Sequence, residues 1–117
     1  KAGVSEVMNV IGEVEGRTCV MVDDIVDSGG TLCNAAAALR ENGATAVYAY
    51  VVHGVLSGEA VERVESSVLE KLVITDSIAA VPDVAASPKI ERLSIATIMG
   101  EAMLRISEER SVSVIFK

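Results

Sequence analysis

The chain has 117 residues, half of them apolar, and a net charge of −7 with its Lys and Arg residues scattered singly. A chain of this length makes about one domain and buries roughly two-thirds of the surface it exposes when unfolded, so it needs no staples. No apolar run reaches the roughly 18 residues of a membrane span, and no basic patch exists to follow a phosphate backbone; neither a membrane nor a nucleic acid is an expected partner.

The first residues lack the apolar core of a signal peptide. The chain opens on Lys1 without an initiator Met and is expected to be a fragment. Residues 7–11 (VMNVI) and 19–22 (CVMV) are short β-rich runs parted by Gly12 and Gly16, which predicts two strands and a turn, the second strand ending at Asp23. From Thr31 the period changes: Leu32, Ala35, Ala36 and Leu39 form the stripe of a helix over 31–42, with Arg40 in its last turn and Gly43 as its cap. Residues 46–52 (AVYAYVV) show no polar alternation and predict a central strand covered on both faces. His53-Gly54 ends it, and His53 is read as a loop histidine bonded to backbone.

A second helix follows Ser57-Gly58-Glu59 and carries Val61, Val64 and Val68. Residues 72–75 predict a third strand, 76–89 a loop with at most a short turn of helix, and 90–94 a last parallel strand. Ile95, Ile98, Met99, Ala102 and Ile106 mark a final helix, and 112–116 an edge strand. Strands alternating with helices imply βαβ units, an α/β fold with a mostly parallel central sheet between two helical layers. Cys19 and Cys33 stand at no metal-binding or redox spacing and read as small core residues, in keeping with a reducing, cytoplasmic setting.

The chemistry concentrates in residues 20–31, VMVDDIVDSGGT. This loop is placed at the carboxyl end of a parallel strand, where open α/β sheets bind ligands. Gly29 and Gly30 permit close backbone approach, and Ser28 and Thr31 add hydroxyls beside the free N–H groups of a helix start; together these suit a phosphate. Asp23, Asp24 and Asp27 would each repel that phosphate by about 1 kcal/mol at 4 Å in water, and more at a half-buried site. They must meet another part of the same ligand, hydroxyl donors or a shared divalent cation. A phosphorylated sugar satisfies both halves. A plain strand-to-helix turn, with Asp27 or Ser28 as cap, is the simpler reading of the same residues.

The stretch resembles the 5-phosphoribosyl 1-diphosphate motif of the type I phosphoribosyltransferase fold, with Asp23 and Asp24 matching its acid pair and Asp27, Ser28, Gly29, Gly30 and Thr31 its phosphate loop. Ser28 stands where Thr is usual. SEVMNVIGEVEGRTC before the motif, TLCNAAAALRENGA after it, AYVVHGVLSGEAVERVESSVLEKLVITDSI and RISEERSVSVIF are similar to the ribose-phosphate pyrophosphokinases. That resemblance implies a single domain over 1–117, the C-terminal, ribose 5-phosphate-binding half of a two-domain synthetase. The synthetase would transfer the diphosphoryl group of ATP to the 1-hydroxyl of ribose 5-phosphate, with Mg²⁺, and assemble as a homo-oligomer, a hexamer of dimers. The resemblance places no catalytic residue and no direct metal ligand in this chain; Asp23 and Asp24 would meet Mg²⁺ through the ribose. It also implies an allosteric nucleotide-phosphate site between subunits at Ser111, Val112, Ser113 and Phe116. A phosphoribosyltransferase, or a non-catalytic homologue that binds a synthetase, are the alternatives.

Overall fold

The computed structural model describes residues 9–117. Four strands, β1 (Thr18–Val26), β2 (Ala46–Gly54), β3 (Lys71–Thr75) and β4 (Ile90–Leu93), alternate with helices α1 (Gly30–Glu41), α2 (Ala60–Glu65) and α3 (Pro82–Ala86); α4 (Ala96–Ser107) and a short 3-10 helix (Ser113–Phe116) follow. All strand pairs are parallel and their order is the order of the chain, β1-β2-β3-β4. Right-handed crossovers in such an order put α1, α2 and α3 on one face.

The burial pattern agrees. Register pairs Cys19 with Val47, Met21 with Ala49, Ala49 with Leu72 and Leu72 with Ile90, so these residues share a face. They pack against Leu32, Cys33 and Ala36 of α1, Ala60 and Val64 of α2 and Val84 of α3 in one core. Each large aliphatic side chain buried there, Leu69 and Leu72 among them, contributes about 1.5–3 kcal/mol. Gly54, also buried, ends β2 against Ile74, whose Cδ1 lies 2.6 Å from where a Cβ would stand.

The opposite face carries Val20, Val22, Tyr50, Val52 and Leu93, and Val22 is 79% exposed. The α/β parallel architecture expected from the sequence is present, with one of its two helical layers among the described residues. The expectation that 46–52 is covered on both faces is corrected accordingly: Val47, Ala49 and Val51 are buried while Tyr50 and Val52 are exposed. Valine and tyrosine favour strands wherever the pleat puts them, so composition alone cannot separate a covered face from an open one.

Other boundaries move for local reasons. The predicted strand over 7–11 falls partly outside the described residues, and Asn9, Val10 and Ile11 are irregular. β1 runs on to Val26, past its expected end at Asp23, because backbone pairing with β2 continues. α1 ends as expected: Gly43, at φ +99°, donates to Arg40 O at 3.0 Å. α2 stops at Glu65, so Val68 lies beyond it and is exposed. The predicted edge strand over 112–116 is instead the 3-10 helix, tied back to α4 by Arg105 Nη1 donating to Ser111 O at 3.2 Å.

Candidate functional site

Five bonds set the loop after β1. The Val26 carbonyl accepts from both Val55 N (2.9 Å) and Leu56 N (3.2 Å), and Asp27 O accepts from Ser57 N (3.1 Å). The Ser57 hydroxyl donates to the Asp27 carboxylate, and Arg63 Nη1 donates to Ser28 O. The turn between β2 and α2 therefore underlies residues 26–28 and fixes their course. Gly29 then takes φ +81°, a left-handed conformation that a side chain would strain, and Cys33 N donating to Gly29 O at 3.0 Å starts α1.

Among the described residues, no protein group accepts from the N–H groups of Gly30, Thr31 and Leu32. These are the unsatisfied donors of a helix start. With no acid in the first turn and no side-chain cap, they and the aligned peptide dipoles favour an anion. A cavity of about 170 Å³ opens beside them, lined by Asp23, Ile25, Val26, Asp27, Ser28, Gly29, Thr31 and Leu32.

The acid pair is arranged differently. Asp23 Oδ1 accepts from Asp24 N and Asp24 Oδ1 accepts from Ile25 N, both at 2.8 Å. Each carboxylate thus has one oxygen engaged with backbone, and both side chains remain exposed. Asp23 borders the cavity; Asp24, one residue on, sits on the opposite face of the strand. The structure thus places Asp23 and, of the predicted loop residues, Asp27, Ser28, Gly29 and Thr31 around one cavity, while Gly30 and Asp24 are not part of its lining.

Oxygen donors of this kind suit a hard divalent cation that keeps water or ligand oxygens for its remaining positions. No cluster of three or more His, Cys, Asp or Glu side chains able to hold a metal occurs among the described residues. A cation at Asp23 or Asp24 would therefore need a ligand's oxygens or water to complete its shell.

His53 belongs to β2, where it pairs with Ile25, and its Nδ1 is 2.7 Å from Ser77 Oγ. The expected backbone bond is replaced by this side-chain partner, which comes from the segment after β3. Ser111, Val112, Ser113 and Phe116 lie at the far end of the chain on and before the 3-10 helix, with Ser111 and Ser113 hydroxyls 2.9 Å apart and Phe116 exposed. A larger depression, about 490 Å³ between α2 and α3, is lined by Glu59, Glu62, Glu65 and Asp83; its charge disfavours an anion.

Ser57 and Arg63 are the residues that sequence reasoning missed. They lie 30 and 35 positions from their partners. The one available signal was the Ser57-Gly58 turn, which follows a strand parallel to β1 and so had to arrive at the same edge.

Fold and loop together define an α/β domain whose first strand-to-helix turn presents unpaired backbone donors flanked by acids. The chain belongs to the family described as the phosphoribosyl synthetase-associated domain, whose model matches residues 3–117. It is similar to the ribose-phosphate pyrophosphokinases of Rhizobium meliloti, 60% identical, and Maricaulis maris, 59% identical, each over 116 residues that make 99% of this chain and 37% of the relative. The chain thus spans little more than a third of these relatives. Among solved structures it is similar to the phosphoribosylpyrophosphate synthetase from Mycobacterium smegmatis. The TM-score is 0.81 at 33% identity, covering 85% of this chain and 33% of that one.

Proposed function

We propose that this chain is the ribose 5-phosphate-binding part of a ribose-phosphate pyrophosphokinase, the enzyme that transfers the diphosphoryl group of ATP to the 1-hydroxyl of ribose 5-phosphate. The observation that carries the reading is the row of unpaired N–H groups at Gly30, Thr31 and Leu32 opening on a cavity that Asp23 borders. Those donors, with the Ser28 and Thr31 hydroxyls, take the 5-phosphate. Asp23 and Asp24 accept from the ribose hydroxyls or would help hold Mg²⁺, which would supply charge neutralisation when bound. Gly29 and Gly30 keep the approach to the loop clear. The diphosphoryl donor and the cationic groups that stabilise its transfer belong to the rest of the parent protein, a homo-oligomer. In that assembly the paired hydroxyls of Ser111 and Ser113, with Val112 and Phe116, form an allosteric site for a nucleotide phosphate.

Titration of the folded chain with ribose 5-phosphate and Mg²⁺, followed by calorimetry or amide chemical shifts, tests this. Asp24→Asn keeps an acceptor for Ile25 N while removing the charge. At Gly30 an added Cβ meets nothing closer than Ser28 Oγ at 3.9 Å, so Gly30→Val obstructs the ligand and spares the fold. Each should weaken binding about tenfold or more, as expected for lost contacts to a charged group. Folded wild-type chain that binds no ribose 5-phosphate would overturn the proposal. A non-catalytic homologue that binds a synthetase also fits the family's description. Formation of AMP from ATP and ribose 5-phosphate by the parent protein separates the two.

A further inference from the structure

We infer that Arg63 and Ser57 are positioning residues for the phosphate loop, and that Asp27 serves as its latch instead of as a ligand contact. The inference rests on the ribose 5-phosphate reading of the same site.

Asp27 is the acid nearest the loop glycines, and a free carboxylate there would oppose an incoming phosphate. The Ser57 hydroxyl donates to that carboxylate, and Ser57 N donates to the Asp27 carbonyl. One residue thus holds both the side chain and the backbone of Asp27 onto the turn between β2 and α2. One oxygen of that carboxylate is thus engaged with residue 57 in a charge-assisted bond.

Arg63 acts one peptide further on. Its guanidinium is half-buried and donates to Ser28 O. That carbonyl belongs to the same peptide group as the Gly29 N–H. A cationic donor on the oxygen polarises the amide and strengthens the N–H as a donor in turn. The same bond sets the plane of the Ser28–Gly29 peptide just before the chain enters the left-handed conformation at Gly29. The arginine also places a positive charge beneath a loop whose neighbours are three aspartates, so it offsets their field without touching the ligand.

Arg63 is itself held. It lies on α2 next to buried Val64, whose Cγ2 is 4.0 Å from where a Gly29 Cβ would stand, and its carbonyl accepts from Cys33 Sγ at 3.7 Å. α2 and the start of α1 are therefore packed together beneath the loop, and the position of the guanidinium is set by the core.

The test compares wild-type chain with Arg63→Met, Arg63→Lys and Ser57→Ala, using ribose 5-phosphate, inorganic phosphate and ribose as separate probes. Arg63→Met should weaken ribose 5-phosphate and inorganic phosphate about tenfold and leave the response to ribose unchanged. Arg63→Lys should recover part of the loss, because it restores the charge without the fork of donors. Ser57→Ala should weaken the two phosphate probes and shift the Gly29 and Gly30 amide resonances. If Arg63→Met proves unfolded, Arg63→Lys and Ser57→Ala carry the test. Unchanged phosphate affinity in the folded variants overturns the inference, and so does an equal loss for ribose. Wild-type chain that binds none of the probes overturns the ribose 5-phosphate reading itself.

Discussion

Asp76 Oδ1 accepts a hydrogen bond from Ile95 N at 2.9 Å and so joins the end of β3 to the start of α4. The bond lies at the same carboxyl edge of the sheet as the loop after β1. It is a principal tie of a helix that buries none of its own residues.

The Ile95 N–H, and after it the Ser94 hydroxyl, hold the Asp76 carboxyl below its ordinary pKa. A carboxylate whose folded pKa is depressed contributes stability that is complete above its unfolded value, near 3.9, and is lost as pH falls through the lower folded value. Asp76→Asn keeps an acceptor for Ile95 and removes the titration. Thermal unfolding followed between about pH 5 and pH 2 should therefore show a shallower acid loss in the variant, confined to the range below about pH 4. An identical pH profile would exclude Asp76 as a contributor.

Gly54 is required for space. A Cβ there would stand 2.6 Å from Ile74 Cδ1 and 3.1 Å from its Cγ2. Gly54→Ala should cost about 1–3 kcal/mol by overpacking. Ile74→Val in the same chain removes the nearer atom, so the double variant should lose less than the sum of the two single variants in urea unfolding.

Thiol labelling should separate the two cysteines. Cys33 is buried in the core and burial pushes its pKa up, whereas Cys19 is half-buried. Reactivity follows thiolate fraction and access. A small alkylating reagent at pH 8 should modify Cys19 first, and modification of Cys33 should keep pace with unfolding. Equal rates in the folded protein would contradict the packing of α1.

The uncovered sheet face offers a further test. Val22 and Tyr50 are register partners on that face, and both are exposed. An apolar patch of this kind binds hydrophobic dyes and promotes association. Replacing both by threonine, which keeps β propensity, should reduce dye binding and self-association of the chain while melting temperature changes by only a few degrees.

Periodicity made much of the fold legible. Leu32, Ala36 and Leu39 placed α1, and the alternation of strand and helix gave the parallel sheet. Periodicity could not show that Tyr50 faces outward, because a tyrosine between Ala49 and Val51 has the same pattern whether or not a layer covers it. The strand end was missed for a related reason: Asp23 and Asp24 look like loop residues, but ladder bonds to β2 are blind to side-chain polarity. The strand-to-helix turn at Ser28, Gly29, Gly30 and Thr31 was legible because a helix start needs its donors and turn residues in local succession. Ser57 and Arg63 were not. Their bonds to Asp27 and Ser28 depend on how α2 returns over the sheet, which no local pattern encodes.

Each bond described as shaping the loop has both partners between Val26 and Arg63. The cradle and its buttress are thus one uninterrupted piece of chain, a cassette that brings its own scaffolding. The rest of the sheet reaches the loop only indirectly, through the core that Leu72 and Ile74 share with α1 and α2.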